Sequence, residues 1–285
     1  MSTDRSIGIL APFFSHPAFI QRMRGIIDGL DESGDEYNMV LFHVRTPEQI
    51  EYQISRILRT HLVEGLIVNA LPLSEQQLER FAREHIAVVR ILDRPLLGTP
   101  TIGIDNRLGG RLATEHLIGL GHTKIGFVGE FLEDPFNFPT ATERQAGYQE
   151  ALQAHGLALN PHYLVYPDRS PLSTLQAARR LLSLPEPPTA IFAMYDEKAL
   201  HVIQTINDIG LKIPDFVSVI GFDDIDAAHH LGLTTVRQHF ERCGQLAAQM
   251  LLRLLVDDPS WQDLCAPQLE LVVRETTAPP DHFKI

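Results

Sequence analysis

Short apolar runs alternate along this chain with segments of helical period, and that alternation is the feature that most constrains its fold. Residues 7–10, 40–42, 65–68, 87–91 and 101–104 read as strands. Between them lie helical stretches: Pro17 opens one on which Ile20, Met23, Ile27 and Leu30 share a face, closing near Gly34, and Thr46-Pro47 starts another carrying Ile50, Ile54, Ile57 and Leu58. A helix over 108–120 and a strand over 124–128 complete a first α/β unit, and the pattern then begins again. Helices are expected over 143–155, 173–182 and 196–209, with strands near Leu164 and over 190–193 and 217–222. Strands that alternate with helices in this way form parallel sheets covered on both faces.

A chain of 285 residues exceeds one typical compact domain, so two lobes are expected. The stretch 130–141, EFLEDPFNFPTA, holds two prolines and interrupts the alternation, which makes it the expected boundary. A long amphipathic helix over 241–256 and a last strand over 269–273 are too little for a third domain and should return to the existing lobes. The predicted division is therefore residues 7–131 with 237–264 for one lobe and 132–236 with 265–285 for the other, after a leader of residues 1–6. The predicted fold class is α/β: two doubly wound parallel-sheet lobes joined by several hinge crossings, a body that closes on a small molecule in the cleft.

Composition excludes some functions. The chain has 24 Lys and Arg against 36 Asp and Glu, a formal charge of -12, so as it stands it should bind nucleic acid poorly. MSTDRSIGIL lacks the layout of a secretory signal, and no apolar run approaches the ~18 residues of a membrane span, so a cytoplasmic location and no membrane partner are expected. Cys243 and Cys265 stand apart, outside any CxxC unit, and are expected to be inert buried thiols. The 13 histidines show no metal-ligand spacing, and no cofactor is expected. The glycines of GLGHTKIG lead from a helix into a strand, so they should cap that helix rather than cradle a phosphate.

The segment over 213–238, IPDFVSVIGFDDIDAAHHLGLTTVRQ, carries the clearest site signal. It delivers Asp223 and Asp224 to the C-terminal lip of a buried strand, where ligands bind in open α/β sheets. Gly221 leaves room for a ligand or another backbone, and strand alternation should point the two carboxylates apart, with Asp223 facing the ligand. Neighbouring carboxylates on one strand cannot flank a scissile bond at the ~5 Å or more of glycosidase chemistry, and no nucleophile with its base is apparent. An enzyme is not expected.

Taken in order, IGIL and HPAF, EGLIV, ILDRP, the run IGIDNRLGGRLATEHLIGLGHTKIGFVG, ERQAGYQEAL, PTAIFAMYDEKAL, IPDFVSVIGFDD and LTTVRQ carry a family resemblance. From about Ser6 to Pro280 the chain resembles the effector-binding core of the LacI/GalR, or lac-repressor, family of transcriptional regulators, which shares its periplasmic-binding-protein-like fold (type I) with sugar-binding proteins. The resemblance implies a homodimer whose small-molecule effector closes the cleft and changes operator binding allosterically. That effector would be a sugar or sugar phosphate first, with a purine or nucleoside as the alternative. Operator DNA would be reached only through a helix-turn-helix headpiece, for which the six residues before the first strand leave no room in this sequence. The alternative reading is a free-standing solute-binding protein of transport or chemotaxis.

By match to the family's motifs, Arg144 is the chief polar contact and Asp223 its counterpart, a fork that donates and a carboxylate that accepts, suited to a polyol. Tyr195 stands where relatives often carry an asparagine, Phe19 where an aromatic commonly stacks, and Arg169 where several relatives have an aromatic lid, a departure that favours an anionic ligand. Asp105 and Asn106 close a strand facing the same cleft, and Phe13 and Phe138 are expected as its walls. Outside the motif, Arg144 would read as a surface arginine, Tyr195 equally as core, and Asp196 as the N-cap of the following helix.

Overall fold

The structure, a computed structural model, describes residues 5–12, 14–92, 96, 98–130, 136 and 138–280. The chain runs β1 (Arg5–Ala11), α1 (Pro17–Asp31), β2 (Tyr37–His43), α2 (Pro47–Thr60), β3 (Gly65–Asn69), α3 (Glu75–Arg83), β4 (Ala87–Leu92) and β5 (Thr101–Gly103). It continues through α4 (Asn106–Gly119), β6 (Ile125–Val128), α5 (Thr140–Ala154), β7 (Leu164–Val165), α6 (Pro171–Leu182), β8 (Ala190–Ala193), α7 (Asp196–Asp208) and β9 (Ser218–Ile220). The last elements are α8 (Asp226–His230), β10 (Thr235–Arg237), α9 (Phe240–Leu255) and β11 (Glu270–Val272).

These elements form two compact units, residues 1–104 with 239–267 and residues 105–238 with 268–285. The first holds a parallel sheet in the order β2-β1-β3-β4-β5, the second a parallel sheet in the order β7-β6-β8-β9, which is the α/β architecture read from the sequence. The prolines of 130–141 do not mark the crossing. It comes earlier, between Ile104 and Asp105, because α4 packs along α5 and β6 is an interior strand of the second sheet. Residues 105–131 therefore belong with the second unit. The chain returns at His239, α9 packs on α1 in the first unit, and β11 pairs antiparallel with β10 in the second.

Strand periodicity builds the second unit layer by layer. Ala190, Phe192 and Met194 face one side of the sheet with Ile125, Phe127, Ile220 and Phe222, in a core completed by Ala113 and Leu117 of α4 and Tyr148 and Leu152 of α5. Ile191 and Ala193 face the other side with Val128, Val217 and Val219, against Ala178 and Leu181 of α6 and Ala199, Val202 and Ile206 of α7. Each one-residue step along β8 thus changes face, and every face is apolar, as a sheet covered on both sides requires.

The pattern of apolar positions gives no hint of α3, since only Phe81 of that helix is buried. Its signal is the capping box: Ser74 Oγ accepts from Gln77 N, and the Gln77 side chain accepts from Ser74 N. The glycine reading of GLGHTKIG holds, with Gly121 at φ 98° just past the end of α4 and its N–H donating to Ile118 O. Cys243 is buried, and burial pushes its thiol up to about 11; Cys265 is exposed, so the expectation that both are buried holds for only one.

His122 follows that helix end and is buried. Its Nε2 faces Ala278 O at 2.9 Å, which can only accept, so the neutral ring carries its proton there while Nδ1 accepts from Thr189 Oγ1 at 2.9 Å. Burial holds the imidazole below its usual range. The unfolded chain then takes up the proton first, so this contribution to stability is intact above about pH 6.5 and is lost as pH falls below it. Denaturant unfolding between pH 7.5 and 5.5 should show stability falling with pH, and His122→Asn should flatten that slope. An unchanged slope in the variant would remove His122 from the account.

Candidate functional site

The segment ERQAGY, residues 143–148, builds one side of a polar cluster in the second unit. Gly147 lets α5 meet α4 so closely that a Cβ there would lie 2.1 Å from Arg107 O, and a Cβ on Gly110 of α4 would lie 2.2 Å from Arg144 O. Tyr148, one turn beyond Arg144, donates its hydroxyl to Ile125 O at 2.8 Å and ties α5 to β6. Backbone contact and this anchor leave the Arg144 side chain one course, inward, where it is only 4% exposed. Its Nε donates to Asn106 Oδ1 at 2.8 Å, one terminal nitrogen donates to Met194 O at 2.5 Å, and the guanidinium carbon lies 3.7 Å from the centre of the Phe222 ring. A delocalised cation over an aromatic face is attracted by the ring quadrupole.

Asp223 supplies the opposite charge. It is 5% exposed, and its Oδ1 lies 3.4 Å from the Arg144 terminal nitrogen and accepts from Gln238 Nε2 at 2.5 Å. Asp224 turns elsewhere, to Arg237 at 2.6 Å and to Arg274 at 2.6 Å, the second an ion pair outside hydrogen-bond angles. The carboxylates thus diverge as expected, but by a different device. Both residues have positive φ, 126° at Asp223 and 59° at Asp224, so the backbone turns out of the strand rather than continuing its alternation. Positive φ in a non-glycine residue is strained unless its surroundings hold it, and here β10 does: Asp223 N donates to Val236 O at 2.8 Å.

Asp196 is not the N-cap of α7; Tyr195 holds that position and Asp196 is the first helical residue. Its carboxylate instead joins two other segments, accepting from Ile225 N at 3.0 Å and from Thr235 Oγ1 at 2.6 Å. Gly221 makes room for this carboxylate rather than for a ligand or a backbone, since a Cβ there would lie 2.1 Å from Asp196 Oδ1. Burial, and next the charge of Asp223, raise Asp196 well above the usual carboxylate range, consistent with a structural part.

Along the same strand ends, Tyr195 is half-buried and burial pushes its phenol up. Arg169 donates its Nε to Glu130, and Lys198 lies under Tyr195 with its Nζ 5.2 Å from the ring centre. Asp105 is exposed and caps α4, its Oδ1 accepting from Leu108 N at 2.8 Å; the buried neighbour Asn106 is the one that reaches Arg144. Phe138 stacks on Phe136 with ring centres 5.4 Å apart. Phe19 belongs to the first unit, where it is buried edge-to-face on Phe14. Phe13 lies outside the described residues. Among the described residues no group of three or more His, Cys, Asp or Glu is arranged to hold a metal ion. Nor is any helix among them long and apolar enough to cross a membrane.

Of the residues expected from the sequence, the structure brings Arg144 and Asp223 together. Asn106 and Gln238, which bond to them, complete the cluster; Gln238 is the last letter of LTTVRQ, and nothing in its local pattern tells it from a surface glutamine.

The family model described as a periplasmic binding protein-like domain matches residues 114–277. The transcriptional repressor PurR of Aliivibrio salmonicida is 31% identical over 281 residues, covering 96% of this chain and 82% of the relative. The chain belongs to the LacI/GalR family of transcriptional regulators. PurR of Photobacterium profundum is similar at 29% identity, over 96% of this chain and 82% of its own length. A solved LacI-family regulator from Enterococcus faecium, with bound ribose, superimposes with a TM-score of 0.80 at 27% identity, covering 96% of this chain and 99% of the other. The chain is thus the ligand-binding core of a LacI/GalR-family regulator and not an enzyme.

In this LacI/GalR-family core the α4–α5 contact sets the height of Arg144 above the sheet. Gly110→Ala should force the helices apart, lower stability by about 1–3 kcal/mol, and loosen the Arg144 guanidinium from Asn106. Urea denaturation of the variant checks the first claim. A loss within a few tenths of a kcal/mol would show that the helices part without strain.

Proposed function

We propose that this chain binds a sugar or sugar derivative on the Arg144–Asp223 cluster and that binding changes operator affinity allosterically. The operator is reached through a headpiece outside this sequence, and the regulator works as a homodimer in the cytoplasm. The observation that carries the reading is the pairing itself: a fork-shaped donor and a carboxylate acceptor, both buried, fixed 3.4 Å apart by separate neighbours. Neighbouring hydroxyls of a sugar can accept from such a fork and donate to such a carboxylate, while the ring's apolar face suits aromatic walls such as Phe138. The ribose bound to the Enterococcus faecium relative supports the same ligand class. To act as a switch, the effector must prefer one conformation of the protein, since equal affinity for two states shifts neither.

Calorimetric titration with monosaccharides, disaccharides, sugar phosphates, nucleosides and purines tests the reading. A specific sugar ligand is expected, and Arg144→Ala should weaken it by ~2 kcal/mol or more because acceptors on the ligand lose their partner. Arg144→Lys should recover only part, since a point charge cannot donate in two directions from one plane. An Arg144→Ala variant that folds and binds within a few tenths of a kcal/mol of the parent would place the site elsewhere. Sedimentation equilibrium should give a dimer; a strict monomer would favour a free-standing solute-binding protein.

A further inference from the structure

The residue that the cluster does not account for is Lys198. It is 2% exposed, at the start of α7, and a lysine is almost never fully buried unless something pairs with it. Its Nζ donates to Asp168 O at 3.1 Å, and among the described residues no carboxylate lies within ion-pair distance of it. An ammonium has three donors, and a backbone carbonyl answers one of them without answering the charge. Among the described residues the arginines along these strand ends each have a carboxylate in ion-pair contact: Arg144 has Asp223, Arg237 and Arg274 have Asp224, and Arg169 has Glu130. Among the described residues, Lys198 is the cation of this cluster with no such contact.

Its position is also specific. Asp168, whose carbonyl it holds, precedes Arg169, and the Lys198 Nζ lies 5.2 Å from the ring of Tyr195, which adjoins the Met194 carbonyl held by Arg144. Arg169 is 51% exposed at its side chain and pairs with the mostly buried Glu130, so an incoming anion can reach the guanidinium from solvent and compete with that carboxylate for it. Behind that pair lies a buried cation that Glu130 and Asp168 act on only from beyond ion-pair distance, in a medium where an anion in direct contact is attracted far more strongly than in water.

We propose that Lys198 and Arg169 form a receptor for an acidic group on the effector, a phosphate or a carboxylate, that displaces Glu130 from Arg169. The effector is then an acidic sugar derivative. This rests on the reading of the Arg144–Asp223 cluster as the sugar site, and it narrows the class of sugar.

The test compares matched ligands by titration calorimetry at fixed ionic strength: ribose with ribose 5-phosphate, glucose with glucose 6-phosphate, and glucose with gluconate and glucuronate. Inorganic phosphate serves as the bare anion. At least one acidic ligand is expected to bind tenfold or more tighter than its neutral parent, and Lys198→Met should erase that advantage while changing the parent's affinity less than threefold. Met fills the space of the lysine stem without a charge, so the variant should fold with an unchanged or higher melting temperature, and Arg169→Gln gives a second, surface-exposed variant that leaves the core untouched. A phosphate advantage without a carboxylate advantage, or the reverse, names the acidic group. Two results overturn the proposal alone: neutral sugars that bind as tightly as their acidic partners, or an acidic advantage that survives both substitutions. Failure of every sugar, neutral and acidic, to bind the wild-type protein would overturn the sugar-site reading and this proposal with it.

Discussion

The placement of a buried guanidinium beside a buried carboxylate governs the second unit. Removing two charges from water costs several kcal/mol per ion before compensation, and an ion pair alone seldom recovers it. Here the pair stands 3.4 Å apart, beyond the length of a charge-assisted hydrogen bond, so its members depend on others: Asn106, the Met194 carbonyl and the Phe222 ring for Arg144, and Gln238 for Asp223. Each of those partners comes from a different element, from α4, the end of β8, the end of β9 and the residue after β10. The close glycine contact of α4 and α5 and the Tyr148 anchor hold the arginine at the height where all of them can reach it.

The backbone of Asp223 and Asp224 shows the same dependence from the other side. Two successive residues at positive φ are tolerable because each carboxylate is gripped, one by Gln238 and the other by Arg237 and Arg274, while β10 pairs with the turning backbone. The buried Asp196 carboxylate ties Ile225 N and the Thr235 hydroxyl on either side of that turn and needs the absence of a side chain at Gly221 to do so. A turn of this shape delivers a carboxylate to the mouth of the sheet in a fixed direction, which a continuing strand would not.

Much of this was legible in the residues themselves. The continuous apolar runs and the helical-period stretches locate most elements, because a parallel strand buried on both faces is apolar at every position. What local spacing does not carry is the choice of partner. Asn106 rather than Asp105 reaches Arg144 because Asp105 is taken up in capping α4, and both residues would look alike at a strand end. Asp196 has the composition of an N-cap yet serves two distant segments, and Gln238 and Lys198 look like ordinary surface residues until the fold buries them. The crossing at Ile104 escapes for a related reason: prolines mark breaks in a pattern, whereas the unit boundary is set by which helices pack together.

The proposed sugar site requires that a ligand complete the buried Arg144–Asp223 pair. A crystal structure of the protein with its tightest-binding sugar shows whether it does. Ligand oxygens are expected within hydrogen-bond distance of both the Arg144 guanidinium and the Asp223 carboxylate, with Asn106 and Gln238 still bonded to them. A ligand seated elsewhere, with the pair unchanged and touching only protein, would contradict it.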